Sequence, residues 1–250
     1  MTNLNRRKFL GFTSAFIGSA VAAPAFATPS TTEKWDMTTD IVIVGAGGAG
    51  LAAAAQAGLL GVKCIVLEKE PVVGGSSVIC GGKWAVSGSE LQIKQGVKDS
   101  EELFVKDMMD CGMQKNDLEV VKAYVKENNE TWKWVHTVGK IEPLALNMAG
   151  GQSVPRSLVV KPGQVIEFLR KTATDKGAQI MTRVKAERLL WDNKSNRICG
   201  VKASRRGKTI TIRALKGVVL AAGGFSRNPQ MLKKYAPQLE NAAVIAGLGT

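Results

Sequence analysis

The 250-residue chain contains a single histidine, His136. One imidazole cannot build a His-rich metal site, and His136, at a predicted helix end beside Gly139, reads as a cap or solvent contact rather than a catalytic base. Its four cysteines, Cys64, Cys80, Cys111 and Cys199, show no metal or redox spacing, and no C-x-x-C-H run for haem attachment occurs. Cys64 falls within a predicted strand and reads as a buried hydrophobe. Carboxylates are also scarce, with 21 Asp and Glu against 34 Lys and Arg, a formal charge of +13. The basic residues read as scattered and no DNA- or RNA-binding pattern accompanies them, so no nucleic-acid partner is expected. A basic surface that attracts an anionic substrate or an acidic electron-transfer partner stays open beside a merely solvated one. Beyond the leader, no run is long and apolar enough to span a bilayer. With 45% hydrophobic residues the chain still has enough apolar material for one substantial core.

What is present is organised around residues 41–68. Ile41 to Val44 read as a buried parallel strand that runs into Gly45-Ala46-Gly47-Gly48-Ala49-Gly50, followed by a helix and a second strand, Val62 to Leu67, ending on Glu68. Gly45 permits a tight turn, Gly47 lets backbone N–H groups approach a pyrophosphate, and Gly50 lets the helix lie close on the strand. Ala54 and Gly61 are expected to continue the small helix face against the sheet. Glu68, 18 residues beyond Gly50, is placed to accept hydrogen bonds from a ribose. This unit predicts dinucleotide binding and leaves FAD and NAD both open.

Residues 1–27 resemble an export signal: Arg6-Arg7 are paired, Gly11 to Ala23 are modestly apolar, and Ala25-Phe26-Ala27 is a small-x-small cleavage site. The match to a twin-arginine signal implies a bacterial periplasm, with cleavage near Ala27; a retained anchor is the competing reading. Residues 28–38 form a polar linker, and 39–250 the folded domain. Within it, Gly74-Gly75-Ser76-Ser77 and Gly81-Gly82 would let backbone pass close to a flat ligand while the serines donate to phosphate or ribityl oxygens. One helix is predicted from Ser100 to Cys111 and another from an Asn116 N-cap, with Leu118, Val121, Tyr124, Val125, Trp132 and Val135 at helical spacing and His136 near its end. A third runs from Pro162 to Lys176, its inward stripe Val165, Phe168, Leu169 and Thr172, closed by Gly177. Gln179–Arg183, Ala186–Trp191, Ile198–Ala203 and Thr209–Ile212 read as strands, the last three as an antiparallel meander. Gly217 to Phe225 reads as a further buried strand ending on Gly223-Gly224.

The glycine unit with Glu68, the double-glycine segment 74–82 and the returning V-V-L-A-A-G-G-F strand together resemble the fumarate reductase/succinate dehydrogenase flavoprotein family, including flavocytochrome c fumarate reductases, urocanate reductases and 3-ketosteroid dehydrogenases. The resemblance implies an α/β fold: a Rossmann-like FAD-binding domain with a parallel sheet, flanking helices and a three-stranded antiparallel meander. It implies FAD rather than NAD, and noncovalent FAD, because no histidine lies in the double-glycine segment. It places Gly45, Gly47, Ala49 and Gly50 on the pyrophosphate and Glu68, with Lys69 beside it, at the adenosine ribose. Gly75, Ser76 and Ser77 would lie near the phosphates and ribityl chain, and Gly81 and Gly82 along the isoalloxazine. Val184 would meet the adenine through its backbone, and Ala222-Gly223-Gly224 stand where the family has T-G-G. Trp84 and Arg156 are the substrate-side candidates, although Lys83-Trp84 replace a common Met-Asn and Leu158 a frequent histidine. By family, the activity is hydride transfer between the flavin and an activated C=C or CH–CH bond of an unsaturated carboxylate or enone, with an electron-donor cytochrome as a possible partner. The capping domain that carries the family's catalytic residues is expected after residue 250, so this chain is expected to be inactive alone: a non-catalytic flavin-binding fragment or half of a split enzyme.

Overall fold

A computed structural model describes residues 34–239 and 249. The leader and the final residue, Thr250, lie outside the described residues. The chain enters through β1 (Met37–Val44), turns on its glycines into α1 (Gly48–Leu59), and returns through β2 (Cys64–Leu67). A short α2 (Gly75–Val78) and β3 (Lys83–Ala85) lead to helices α3 (Glu90–Lys94), α4 (Glu101–Cys111) and α5 (Leu118–Thr137). Strands β4 (Ala145–Asn147) and β5 (Ser157–Val159) precede α6 (Pro162–Asp175). Then come β6 (Gln179–Met181), β7 (Val184–Asp192), β8 (Arg197–Arg205), β9 (Lys208–Leu220) and α7 (Pro229–Tyr235).

The main sheet has the order β6-β2-β1-β9-β8-β7, parallel from β6 to β9 and antiparallel through β8 and β7. All four residues of β2, Cys-Ile-Val-Leu, are buried, as a central parallel strand requires. On one sheet face Ile43 and Val66 pack against Leu51, Ala54 and Ala55 of α1 and Ile166, Leu169 and Ala173 of α6. On the other, Val42, Ile65 and Leu67 meet Val184, Val201, Ala203, Ile212 and Ala214 from the meander. The Val184 amide donates to the Glu68 carbonyl (2.8 Å), so β7 begins beside β2 although three strands separate them in the ladder. The sheet thus curls back and covers its own second face.

Several expected details shift. The third meander strand and the returning strand are one continuous β9, antiparallel to β8 from Lys208 to Arg213 and parallel to β1 from Ile212 to Leu220. It is not buried to its end: Val219 and Leu220 are 36% and 64% exposed. It stops at Leu220 because its partner β1 ends at Val44, where the glycine turn begins. The N-cap of α5 is Asp117, not Asn116. The Asp117 carboxylate accepts from the amides of Glu119 and Val120, whereas Asn116 donates its side-chain amide to the Met108 carbonyl. Leu118 and Tyr124 face outward, and their places in the stripe are taken by Asn128 and Asn129. The α6 stripe is Ile166, Leu169 and Ala173, rotated by one residue, since these positions oppose Gly58 and the small residues of α1. Gly61 is outside α1, at a positive φ of 69° with open space where a Cβ would stand, and Gly58 is the glycine that lets the end of α6 approach, through the Lys176 side chain.

A second sheet, β3-β5-β4, was not legible in the sequence because each strand has only three residues. With α5 it encloses a smaller core of Val86, Trp132, Val135, Ile141, Leu158 and Val160.

A Cβ on Gly50 would stand 1.9 Å from the Gly45 carbonyl oxygen, whereas one on Gly61 would meet nothing within 4 Å. Gly50→Ala is therefore expected to lower stability by about 2–3 kcal/mol through backbone displacement, and Gly61→Ala by about 1–2 kcal/mol through its left-handed φ alone. Urea unfolding midpoints of the two variants check the order; equal losses would refute it.

Candidate functional site

At the C-terminal ends of β1, β2 and β9 three backbone segments meet. The Gly45 amide donates to the Leu67 carbonyl and the Ala221 amide to the Val44 carbonyl, both at 2.8 Å. Gly45 has a φ of 100°, and a Cβ there would lie 2.4 Å from the Ala221 oxygen. Only glycine fits both the conformation and the space. The N-cap of α1, Gly47, supplies no side-chain hydrogen bond, and the first turn holds no acidic residue. The helix thus presents its positive end and first N–H groups to an outside acceptor.

The double-glycine segment is docked onto this turn. The Gly74 amide donates to the Ala46 carbonyl (2.8 Å), Gly47 and Gly74 form a parallel bridge, and the Gly48 amide donates to Ser77 Oγ (3.3 Å). Gly75 has a φ of 50°, and Ser76 beside it is exposed. Gly82 has a φ of 67°, and a Cβ on it would press on the Val160 oxygen at 2.1 Å; Gly81 has nothing within 4 Å of a Cβ. Glu68 is buried, with its carboxylate directed into the turn: Oε2 accepts from the Ala46 amide (2.8 Å) and Oε1 from the Glu70 amide (2.9 Å). Each oxygen keeps further accepting capacity for a hydroxyl.

A cleft of about 610 Å³ opens from the exposed Ala49 at the head of α1, past Ser77 and Gly82, to Trp84 and Asn128. The Trp84 indole is fixed in place: Nε1 donates to Asn128 Oδ1 (2.7 Å), and its ring meets Trp132 edge-on at 5.6 Å. Asn128 returns its own amide to the Ala85 carbonyl (2.7 Å), and Asn129 accepts from the Ser87 amide (3.2 Å). Sequence reasoning missed this Asn pair, although the i, i+3, i+7 spacing Val125, Asn128, Trp132 was its signal.

The other candidates lie around this cleft. Val184 contributes its side chain to the core and its amide to the Glu68 carbonyl. Lys69 lines a separate cleft with Arg183 and Lys185. Ala222, Gly223 and Gly224 are exposed just beyond β9, Gly223 with a φ of 76°. Arg156 is not brought to the cleft. Its side chain is fully buried, with Nε and Nη2 on Asp99 (3.1 and 2.9 Å), Nη1 2.9 Å from Asp107, and its guanidinium over the Phe104 ring. That placement gives it a structural ion-pair role in place of the expected substrate contact. His136 ends α5 stacked on Trp132, with Nδ1 against the Ile141 carbonyl (2.9 Å). Among the described residues no cluster of His, Cys, Asp or Glu could hold a metal ion, and no helix is long and apolar enough to cross a membrane.

A family model described as an FAD binding domain matches residues 40–249. The chain belongs to the FAD-binding domain family. Urocanate reductase of Eggerthella lenta is 33% identical over 86% of this chain and 36% of its own length. The acrylate reductase flavoprotein subunit of Shewanella woodyi is 32% identical over 94% of this chain and 49% of its own. The open conformation of a flavocytochrome c3 fumarate reductase superposes with a TM-score of 0.77 at 29% identity, over 83% of this chain and 37% of that one. The chain therefore spans between about a third and a half of the length of these three relatives. FAD is the family's cofactor, and the geometry fits it: a helix N-terminus whose N-cap supplies no side-chain hydrogen bond, a turn with no room for a Cβ at Gly45 or Gly50, and an acidic residue after the end of β2.

Burial pushes the Asp107 carboxyl up, but hydrogen bonds from Ser153 and the Arg156 charge outweigh this and hold it below the usual carboxylate range. A depressed folded value gives stability that is present above the unfolded value and lost as pH falls through the folded one. Arg156→Met, which strands two buried carboxylates, is expected to cost about 3–5 kcal/mol at pH 7. The deficit should shrink as the pH is lowered from 7 through about 4, because the buried Asp107 carboxyl protonates more readily once the Arg156 charge is gone. Unfolding midpoints across that range check both; a pH-independent deficit would refute the ion-pair assignment.

Proposed function

We propose that residues 39–250 are the FAD-binding portion of an exported, fumarate reductase-like oxidoreductase acting on a C=C or CH–CH bond activated by a carboxylate or carbonyl. The observation that carries this reading is the continuity between the pyrophosphate-type turn and the largely apolar cleft that ends at Trp84. Relatives named as urocanate, acrylate and fumarate reductases support the bond class. Bound FAD supplies hydride chemistry. The chain's own residues would cradle the pyrophosphate on Gly45, Gly47, Ala49 and Gly50 and accept the ribose hydroxyls on Glu68. Ser76 and Ser77 would meet the phosphates and ribityl oxygens, and Gly81 and Gly82 would let backbone pass the ring. Val184 and Lys69 would lie at the adenosine end, and Ala222, Gly223 and Gly224 beyond β9. The absence of histidine from residues 74–84 supports noncovalent attachment.

A second reading, a flavin holder without turnover of its own, is favoured by the make-up of the cleft. Among the described residues its lining offers Ser77, Cys80, Lys83, Tyr124, Asn128 and Thr131 but no carboxylate, histidine or arginine to hold and protonate a carboxylate substrate. The paired arginines Arg6-Arg7 and the Ala25-Phe26-Ala27 site support twin-arginine export to a periplasm with cleavage near Ala27, where a cytochrome could serve as electron donor.

The purified chain is expected to be yellow, with about one FAD released intact on acid denaturation, and to show no viologen-linked reduction of fumarate, acrylate or urocanate. A colourless protein that takes up no FAD overturns the cofactor site, and sustained reduction overturns the second reading. Glu68→Gln, which turns an NH₂ toward a backbone N–H, should weaken FAD retention about tenfold or more, read by fluorescence titration of the stripped protein. Replacing Arg6 and Arg7 with lysine should leave the chain in the cytoplasmic fraction.

A further inference from the structure

The positive charge is not scattered. Between Arg183 and Lys216 there are eleven Lys or Arg against two Asp or Glu, a net +9 within a chain of +13. This segment is the β7–β9 meander, whose inner residues Val184, Val201, Ala203, Ile212 and Ala214 are fully buried. Strand alternation therefore sends the cations to the outer face and the hairpin ends. The register then opposes like charges directly: Arg188 pairs with Lys202 across β7 and β8, and Arg205 with Lys208 across β8 and β9. Directly opposed like charges destabilise an antiparallel pair, so the arrangement does not serve the fold.

At one end the face is concave. A cleft of about 540 Å³ is lined by Lys69, Pro71, Arg183, Lys185, Ser204 and Arg206. The face already grips a carboxylate of its own. Lys185 Nζ lies 3.2 Å from Glu187 Oε2, and Ser204 Oγ donates to Glu187 Oε1 (2.8 Å). The only other ion pair of the segment among the described residues is Lys216 with Asp40, at 3.8 Å. The sole aromatic of the segment, Trp191, sits at the far end of β7, so the cleft has no stacking platform for nucleic-acid bases. Apart from Pro71 the cleft lining has no apolar side chain to enter a bilayer.

We infer that the outer face of the meander, centred on Arg183, Arg188, Lys202 and Arg206, is a docking surface for a protein partner bearing clustered carboxylates. Opposed cations that weaken the isolated sheet become matched charges when an acidic face arrives, which favours rapid, salt-sensitive association. An acidic electron-donor protein is the class of partner that the proposed reductase reading calls for. The surface itself rests on charge and register and stands independently of that reading.

The test uses fluorescently labelled poly-L-glutamate as probe, with a DNA duplex and phosphatidylglycerol vesicles in parallel, at rising salt. Replacing Arg183, Arg188, Lys202 and Arg206 by Gln should weaken poly-glutamate binding at least tenfold. Removing the same charge at the exposed Lys94, Lys115, Lys126 and Lys140 should weaken it less than twofold. Equal losses in both variants overturn the surface. Binding to DNA or vesicles that persists at a salt concentration where poly-glutamate has dissociated overturns the class of partner. Lys202→Gln alone should leave the melting temperature unchanged or raise it; a fall would assign that cation to the fold. FAD content is measured on the same samples, so failure of the cofactor site and failure of the surface are read separately.

Discussion

The structure depends on a backbone crossing in which no side chain can stand. Where β1 turns into α1, the Gly45 carbonyl lies under Gly50 and the Gly45 Cα lies against the Ala221 carbonyl, at separations that exclude a Cβ. This crossing ties three consecutive parallel strands to the head of one helix. It also shapes the site: Leu67, Glu68 and Ser77 hold the amides of Gly45, Ala46 and Gly48, and the head of α1, with no side-chain cap from Gly47, is left for an outside acceptor. Stability and anion recognition are therefore two results of the same close packing.

Around the crossing, polar groups take over where apolar packing ends. Glu68 closes the turn from the β2 side, and Ser77 and Gly74 close it from the double-glycine segment. Farther along the cleft, Asn128 and Asn129 hold the β3–α3 connection through buried amides, and Arg156 locks α4 against the 150–157 loop through Asp99 and Asp107. Such groups are stable only when nearly every donor and acceptor is matched. The cleft wall is thus built from interactions that one lost partner would expose.

The meander has two faces with opposite duties. Its inner valines and alanines cover the parallel sheet, while its outer face and hairpin ends carry a net +9 of the chain's +13. The alternation that buries one set of side chains projects the other, so covering the sheet and charging the surface are geometrically linked.

By itself the sequence determined the β1–α1–β2 unit, the acidic residue that follows it, the helix from Ser100, the meander and the FAD-binding family. Each rests on local periodicity, glycine conformation or short spacing, which survive in one dimension. Only the tertiary structure decided that residues 208–220 form a single strand serving two ladders, because a strand with partners on both edges looks the same in sequence as two strands in succession. It also decided that Arg156 is buried among carboxylates, that Asn128 orients Trp84, and that like charges stand opposed across the meander. These outcomes depend on residues 44 to 57 positions apart in sequence or on cross-strand register, and neither can be read before the chain has folded.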